Sequence, residues 1–167
     1  VKETSTENLA AARSLIERSE TAGADLLVLP ECIIARKLGM PEWGQKQAEP
    51  LDGPFVSGLR EATRGRRVTV VCTVQAKIAN ESRYANDLLV IQNGELRLTY
   101  QKIHLYDAFR GKESSYAAPG DVLPQVLQIG PFKVGFLTCY DVRFPEMTRA
   151  LVCAGATLLV VSAAWVK

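Results

Sequence analysis

The sequence predicts an α/β layer fold built on a mixed sheet, and two observations lead there. Ala22-Gly23-Ala24-Asp25-Leu26-Leu27-Val28 is echoed by Ala154-Gly155-Ala156-Thr157-Leu158-Leu159-Val160. In both, a helical pattern stops at a glycine and a short apolar run begins. Between the echoes lie two hairpin signals, and helix–strand units interleaved with hairpins pack as helices on a sheet with both strand directions.

The elements follow in order. Thr4-Ser5-Thr6-Glu7 supplies capping side chains and early negative charge, and Leu9, Ala12 and Ile16 recur at helical spacing as far as Gly23. Leu26 to Leu29 reads as a strand buried on both faces, closed by Pro30 with Glu31 at its mouth. Residues 36–53 read as a loop, and Pro54 opens a helix with Phe55, Leu59 and Ala62 on one side. Val68 to Val74 is a β-branched strand. Leu88 to Ile91, Asn93-Gly94 and Glu95 to Tyr100 form a hairpin, because Asn-Gly supplies two positive φ angles. Val126 to Ile129 and Phe132 to Thr138 flank Gly130-Pro131 as a second hairpin. Pro145 opens a helix that ends near Gly155, and Thr157 to Ala163 is the last strand.

With 167 residues, 47% hydrophobic and 23% charged, the chain is expected to be one soluble domain spanning 1–167. A net charge of +2 gives no reason to expect nucleic acid or an acidic membrane as partner. The basic cluster Arg64, Arg66, Arg67 reads as a solvated helix end. No apolar run approaches the ~20 residues needed to span a bilayer. The four cysteines, 32, 72, 139 and 153, form no C-x-x-C pair, so a reducing, cytoplasmic setting is expected. Both ends of the chain read as cut, which would leave one apolar face to be covered by something else.

Cys139 sits between the apolar run Val134 to Thr138 and the helix opened by Pro145. A thiol at such a turn is exposed on the strand's end, where backbone N–H groups favour a thiolate and hold an oxyanion; the plain alternative is a buried structural cysteine. Cys72 and Cys153 read as core, and Cys32 as packing near the strand mouth. Glu31 is placed to act as a base, or else is a surface cap. Lys102 held near carboxylates stays protonated and stabilises negative charge, or else is a solvated strand end. His104 reads as a packed, hydrogen-bonded residue, with a Cys–His pair as the alternative.

Taken in order, Leu29-Pro30-Glu31, Tyr100-Gln101-Lys102-Ile103-His104-Leu105 and Thr138-Cys139-Tyr140-Asp141-Val142-Arg143-Phe144-Pro145-Glu146 resemble the three signature segments of the nitrilase superfamily. The form of the last is similar to the amidase branch that includes ω-amidases and deaminated-glutathione amidases. The resemblance implies an αββα sandwich, here incomplete, lacking an N-terminal strand and the C-terminal part. It implies Glu31 as general base, Lys102 as stabiliser of the intermediate, Cys139 as nucleophile, the Tyr140 backbone N–H in the oxyanion site and Glu113 as a second glutamate positioning Lys102. It implies hydrolysis of a small carboxamide to acid and ammonia through a thioester, with no metal or organic cofactor, and a homo-oligomer. Arg143 is placed either to pair with a substrate carboxylate or, as the plainer expectation, with Asp141, Glu146 or another acid in the fold. Other readings stay open: N-carbamoyl hydrolysis or acyl transfer on the same triad, or an inactive truncated member serving only as a structural or interaction protein.

Overall fold

The computed structural model describes residues 1–37, 39–40, 42–109 and 111–165. Helix α1 (Ser5–Thr21) starts where expected, with the Thr4 hydroxyl accepting from the Glu7 N–H, and buries Asn8, Ala12 and Ile16. Gly23, at φ +72°, turns the chain into β1 (Leu26–Val28). Helix α3 (Pro54–Thr63) lies beside α1, with α2 (Trp43–Gln47) before it in the segment expected to be a loop. The antiparallel run β2 (Thr69–Lys77), β3 (Tyr84–Gln92) and β4 (Glu95–Gln101) completes the path β1-β2-β3-β4. The Asn93-Gly94 turn has both φ angles positive, as its sequence requires. A two-residue strand, β5 (Ala117–Ala118), pairs parallel to β3.

A second sheet holds β6 (Leu127–Ile129), β7 (Phe132–Thr138) and β8 (Leu158–Ser162), in that order. Its hairpin β6–β7 is antiparallel and its β7–β8 pair parallel. The crossover between β7 and β8 is helix α4 (Pro145–Cys153). Helix α4 packs on Gly135, where an added Cβ would lie 3.2 Å from the Leu151 Cβ.

Side-chain alternation turns this into layers. Val70, Cys72, Val74, Ala85, Leu89 and Ile91 point to α1 and α3 and form one core. Val71, Leu88, Val90, Leu98 and Tyr100 point the other way, against Val134, Phe136 and Val160 of the second sheet. The order is helix, sheet, sheet, helix, the layering that the resemblance implies. No helix among the described residues is long and apolar enough to cross a membrane.

Two expectations about burial are corrected. β1 is not buried on both faces: Leu26 and Leu27 are half-buried and Val28 is 40% exposed. The reason is position, since β1 pairs only with β2 among the described residues and ends the sheet. Cys153 is exposed rather than core, because it lies on the face of α4 turned away from Met147 and Leu151. The apolar surface expected to need cover includes Val28 and the half-buried Leu158, Leu159 and Val161 of β8. The basic cluster is solvated, with Arg64, Arg66 and Arg67 reaching Glu61, Glu17 and Asp25 at 3.2, 3.7 and 3.2 Å.

Candidate active site between the sheets

Three strand ends meet at one mouth of the sandwich. Glu31 follows β1, Lys102 follows β4, and Cys139 follows β7. Leu98, Tyr100 and Lys102 are spaced by two, so the pleat that buries the first two between the sheets sends the lysine there as well. Its side chain is 1% exposed, not solvated. A buried ammonium needs partners, and Lys102 Nζ has them: Glu31 Oε1 at 2.9 Å and Glu113 Oε1 and Oε2 at 3.1 and 2.8 Å. Burial alone would push the ammonium's pKa down, but the charges of Glu31 and Glu113 and their hydrogen bonds outweigh it and hold it above its ordinary value.

Glu31 is buried as well, with its backbone N–H donating to the Ala163 carbonyl at 3.3 Å. Beside it, the Ser162 hydroxyl donates to the Leu29 carbonyl at 2.8 Å, joining the end of β8 to the end of β1. Glu113 comes from a 3₁₀ turn (Glu113–Ser115) and is fixed by the Tyr106 N–H, which donates to its Oε2 at 2.7 Å.

Cys139 opens a second 3₁₀ turn (Cys139–Arg143) with φ at +46°, a left-handed conformation that non-glycine residues rarely hold. The turn is pinned by Asp141, a fully buried carboxylate. It accepts from Thr138 N–H at 3.0 Å, Tyr100 hydroxyl at 2.9 Å and His104 N–H at 3.1 Å, and its Oδ1 lies 2.9 Å from His104 Nδ1. His104 also lies flat on Phe144, ring centroids 3.6 Å apart. Its ring is packed and hydrogen-bonded to Asp141, as the plainer sequence reading has it. Tyr140 meets Tyr106 and Phe144 edge-on, which closes the outer side of the turn with aromatic rings.

The effect of backbone N–H groups, expected to favour a thiolate at Cys139, is outweighed in the structure. Burial, then the negative charge of Glu31, pushes the thiol's pKa up to about 12, against smaller opposing effects of the Ala164 backbone and Lys102. The helix proper begins only at Pro145, six positions after Cys139 in the chain. Cys139 is therefore a thiol at neutral pH, and a base must take its proton. Glu31 Oε1 receives both Lys102 Nζ and Asn86 Nδ2, and neither of them engages Oε2.

The plainer expectation for Arg143 is also corrected. Among the described residues it pairs with no acid: Asp141 is saturated by other donors, and the exposed guanidinium lies 5.7 Å from the Trp165 ring centroid. Cys32 borders the site, held at φ +55° with its N–H donating to the Thr73 hydroxyl at 2.7 Å. Burial and the neighbouring Glu31 raise its thiol pKa well above the ordinary value. Cys72 is core, and burial pushes its pKa up to about 12.

Sequence reasoning missed Asn86. Its Nδ2 donates to Glu31 Oε1 at 3.0 Å and to Glu113 Oε1 at 3.2 Å, and its backbone carbonyl accepts from the Lys102 N–H at 2.9 Å. The signal was present in Tyr84-Ala85-Asn86-Asp87, a polar start to a strand whose other half is apolar.

The carbon–nitrogen hydrolase family profile matches residues 1–167, and the chain belongs to that family. It is 36% identical over 154 residues to the deaminated glutathione amidase of Escherichia coli O157:H7, covering 92% of this chain and 58% of that protein. It is 36% identical over 138 residues to an (R)-stereoselective amidase of a Pseudomonas species, covering 83% and 47%. Among solved structures, a nitrilase-superfamily amidase from Nesterenkonia superposes with a TM-score of 0.81 at 28% identity, over 99% of this chain and 64% of that one. The NitFhit protein of C. elegans gives 0.83 at 26%, over 98% and 42%. The chain spans about half the length of the curated relatives it matches.

Proposed function

We propose that this site hydrolyses a small carboxamide to an acid and ammonia through a thioester on Cys139. The observation that carries the reading is a buried lysine held between two glutamates beside a thiol on a strained turn. Glu31 Oε2 takes the Cys139 proton as the sulfur attacks the amide carbon. Lys102 Nζ and the Tyr140 N–H hold the resulting oxyanion. As the C–N bond breaks, Glu31 returns the proton to the nitrogen and ammonia leaves. Water then gives a proton to Glu31, adds to the thioester carbon, and the acid departs as the sulfur recovers its proton. Glu113 keeps Lys102 charged and in place.

The amidase names of the relatives support an amide substrate, and a Glu-to-Gln mutant of the Nesterenkonia amidase carries the acetamide moiety of fluoroacetamide at its active site cysteine. Arg143, exposed and paired with no acid among the described residues, favours an amide that also carries a carboxylate, held bidentately. Release of ammonia is the test, across carboxamides with and without a second carboxylate. Wild type releases ammonia and prefers the acidic amides, Cys139→Ala releases none, and Arg143→Gln loses the preference. Equal release by wild type and Cys139→Ala would overturn the mechanism. Release of carbon dioxide together with ammonia would instead indicate an N-carbamoyl substrate.

A further inference from the structure

We infer that Asn86 is a positioning residue that sets Glu31 against Cys139 by holding the two glutamates with one amide nitrogen. The inference rests on the reading of Glu31 as the base. Two carboxylates and one ammonium are gathered in a space from which water is almost excluded: Glu31 and Glu113 are each 7% exposed and Lys102 is 1%. One cation between two anions leaves an excess of negative charge, and the anions would drift apart unless a neutral donor joined them. Asn86 Nδ2 is that donor, 3.0 Å from Glu31 Oε1 and 3.2 Å from Glu113 Oε1. With Asn86 and Lys102 both on Oε1, the carboxylate's rotation is fixed and Oε2 is the oxygen left for the thiol.

The other end of the same amide shows why the residue is there. Asn86 Oδ1 is buried with no hydrogen-bond partner. Turning the amide over would satisfy nothing, because it would set that oxygen against two carboxylates. An acceptor left unpaired in the interior weakens a fold. The residue therefore serves the nitrogen side at a cost on the oxygen side, the pattern of a group placed for the site rather than for the core. Its strand supplies the direction: Asn86, Leu88 and Val90 share the inter-sheet face of β3.

Asn86→Leu separates the two roles, since leucine has nearly the same shape and no polar atoms. The readouts are the rate of Cys139 alkylation by iodoacetamide, relative to that of exposed Cys153 in the same molecule, and the melting temperature. Positioning by Asn86 lowers the relative rate about tenfold or more, because small displacements of a reacting pair are costly. The melting temperature stays level or rises as the orphaned carbonyl disappears. A lower melting temperature, failure to fold, or an unchanged rate would each overturn the inference. Ammonia release by Glu31→Gln tells which idea has failed: if it stays at the wild-type rate, the reading of Glu31 as base falls and the inference with it. If Glu31→Gln lowers ammonia release and Asn86→Leu leaves the relative alkylation rate unchanged, the inference alone falls.

Discussion

Asn86 and Asp87 are neighbours on β3, both buried, and the pleat sends them to opposite faces of the first sheet. On the inter-sheet face, Asn86 joins a cluster in which Glu31, Lys102 and Glu113 bond to one another. On the helix-facing side, Asp87 makes no side-chain hydrogen bond or ion pair among the described residues, and burial pushes its pKa up to about 6. The difference shows what separates a site from a flaw in the core. A buried charge with complementary partners remains a charge and can do chemistry, whereas one without partners holds its proton to a higher pH than usual.

The inter-sheet side should break first and hardest. Cys139→Ala removes the proposed nucleophile and should lower amide hydrolysis by a factor on the order of 10³ or more, measured as ammonia release. Glu31→Gln should lower it by about 10²–10⁴ while moving a second observable the opposite way. Glu31 raises the Cys139 pKa by charge and by hydrogen bonding, so its neutralisation brings that pKa down from about 12. Titration of thiolate absorbance near 240 nm should then show Cys139 ionising at lower pH in the less active variant. An upward move would contradict the geometry.

Asp141→Asn tests the frame that carries the cysteine. An amide presents a donor where Tyr100, Thr138 and His104 also donate, so the fold should lose about 3 kcal/mol in urea melts. The smallest effect is expected on the other face. An acid whose folded-state pKa lies above its unfolded value stabilises the fold only while protonated; that contribution is full below the ordinary carboxylate value and is lost as pH rises through about 6. Asp87→Asn should therefore stabilise the protein by about 1–3 kcal/mol at pH 8 and change little at pH 3.

The sequence carried one face better than the other. Cys139, Lys102, Glu31 and Glu113 were found through motifs, and the pleat and two 3₁₀ turns gather the lysine, its two glutamates and the neighbouring thiol. The apolar halves of β2, β3 and β7 were legible because burial imposes a repeating pattern on them. The first half of β3 was not, because a strand that feeds a polar cluster abandons that pattern: Asn86 and Asp87 fell outside the expected strand, which began at Leu88. Edge position is equally silent, since the apolar run Leu26-Leu27-Val28 does not say how many neighbours its strand has. Helix α4 misled for a related reason, as a cysteine among aliphatic residues sits on whichever face the register gives it. The ionisation state of Cys139 depended on burial and on a carboxylate 108 positions away in the chain, both supplied only by the fold.

Fluoroacetamide offers the most direct measurement. It is too weak an alkylator for an ordinary thiol, and the chain carries exposed Cys153 and half-buried Cys32 as internal controls. Intact mass and peptide mapping of Glu31→Gln after incubation near neutral pH should show one acetamide group, on Cys139, with none on the other three cysteines and none when Cys139→Ala is added. Modification spread over several cysteines, or confined to Cys153, would contradict the assignment of Cys139 as the nucleophile.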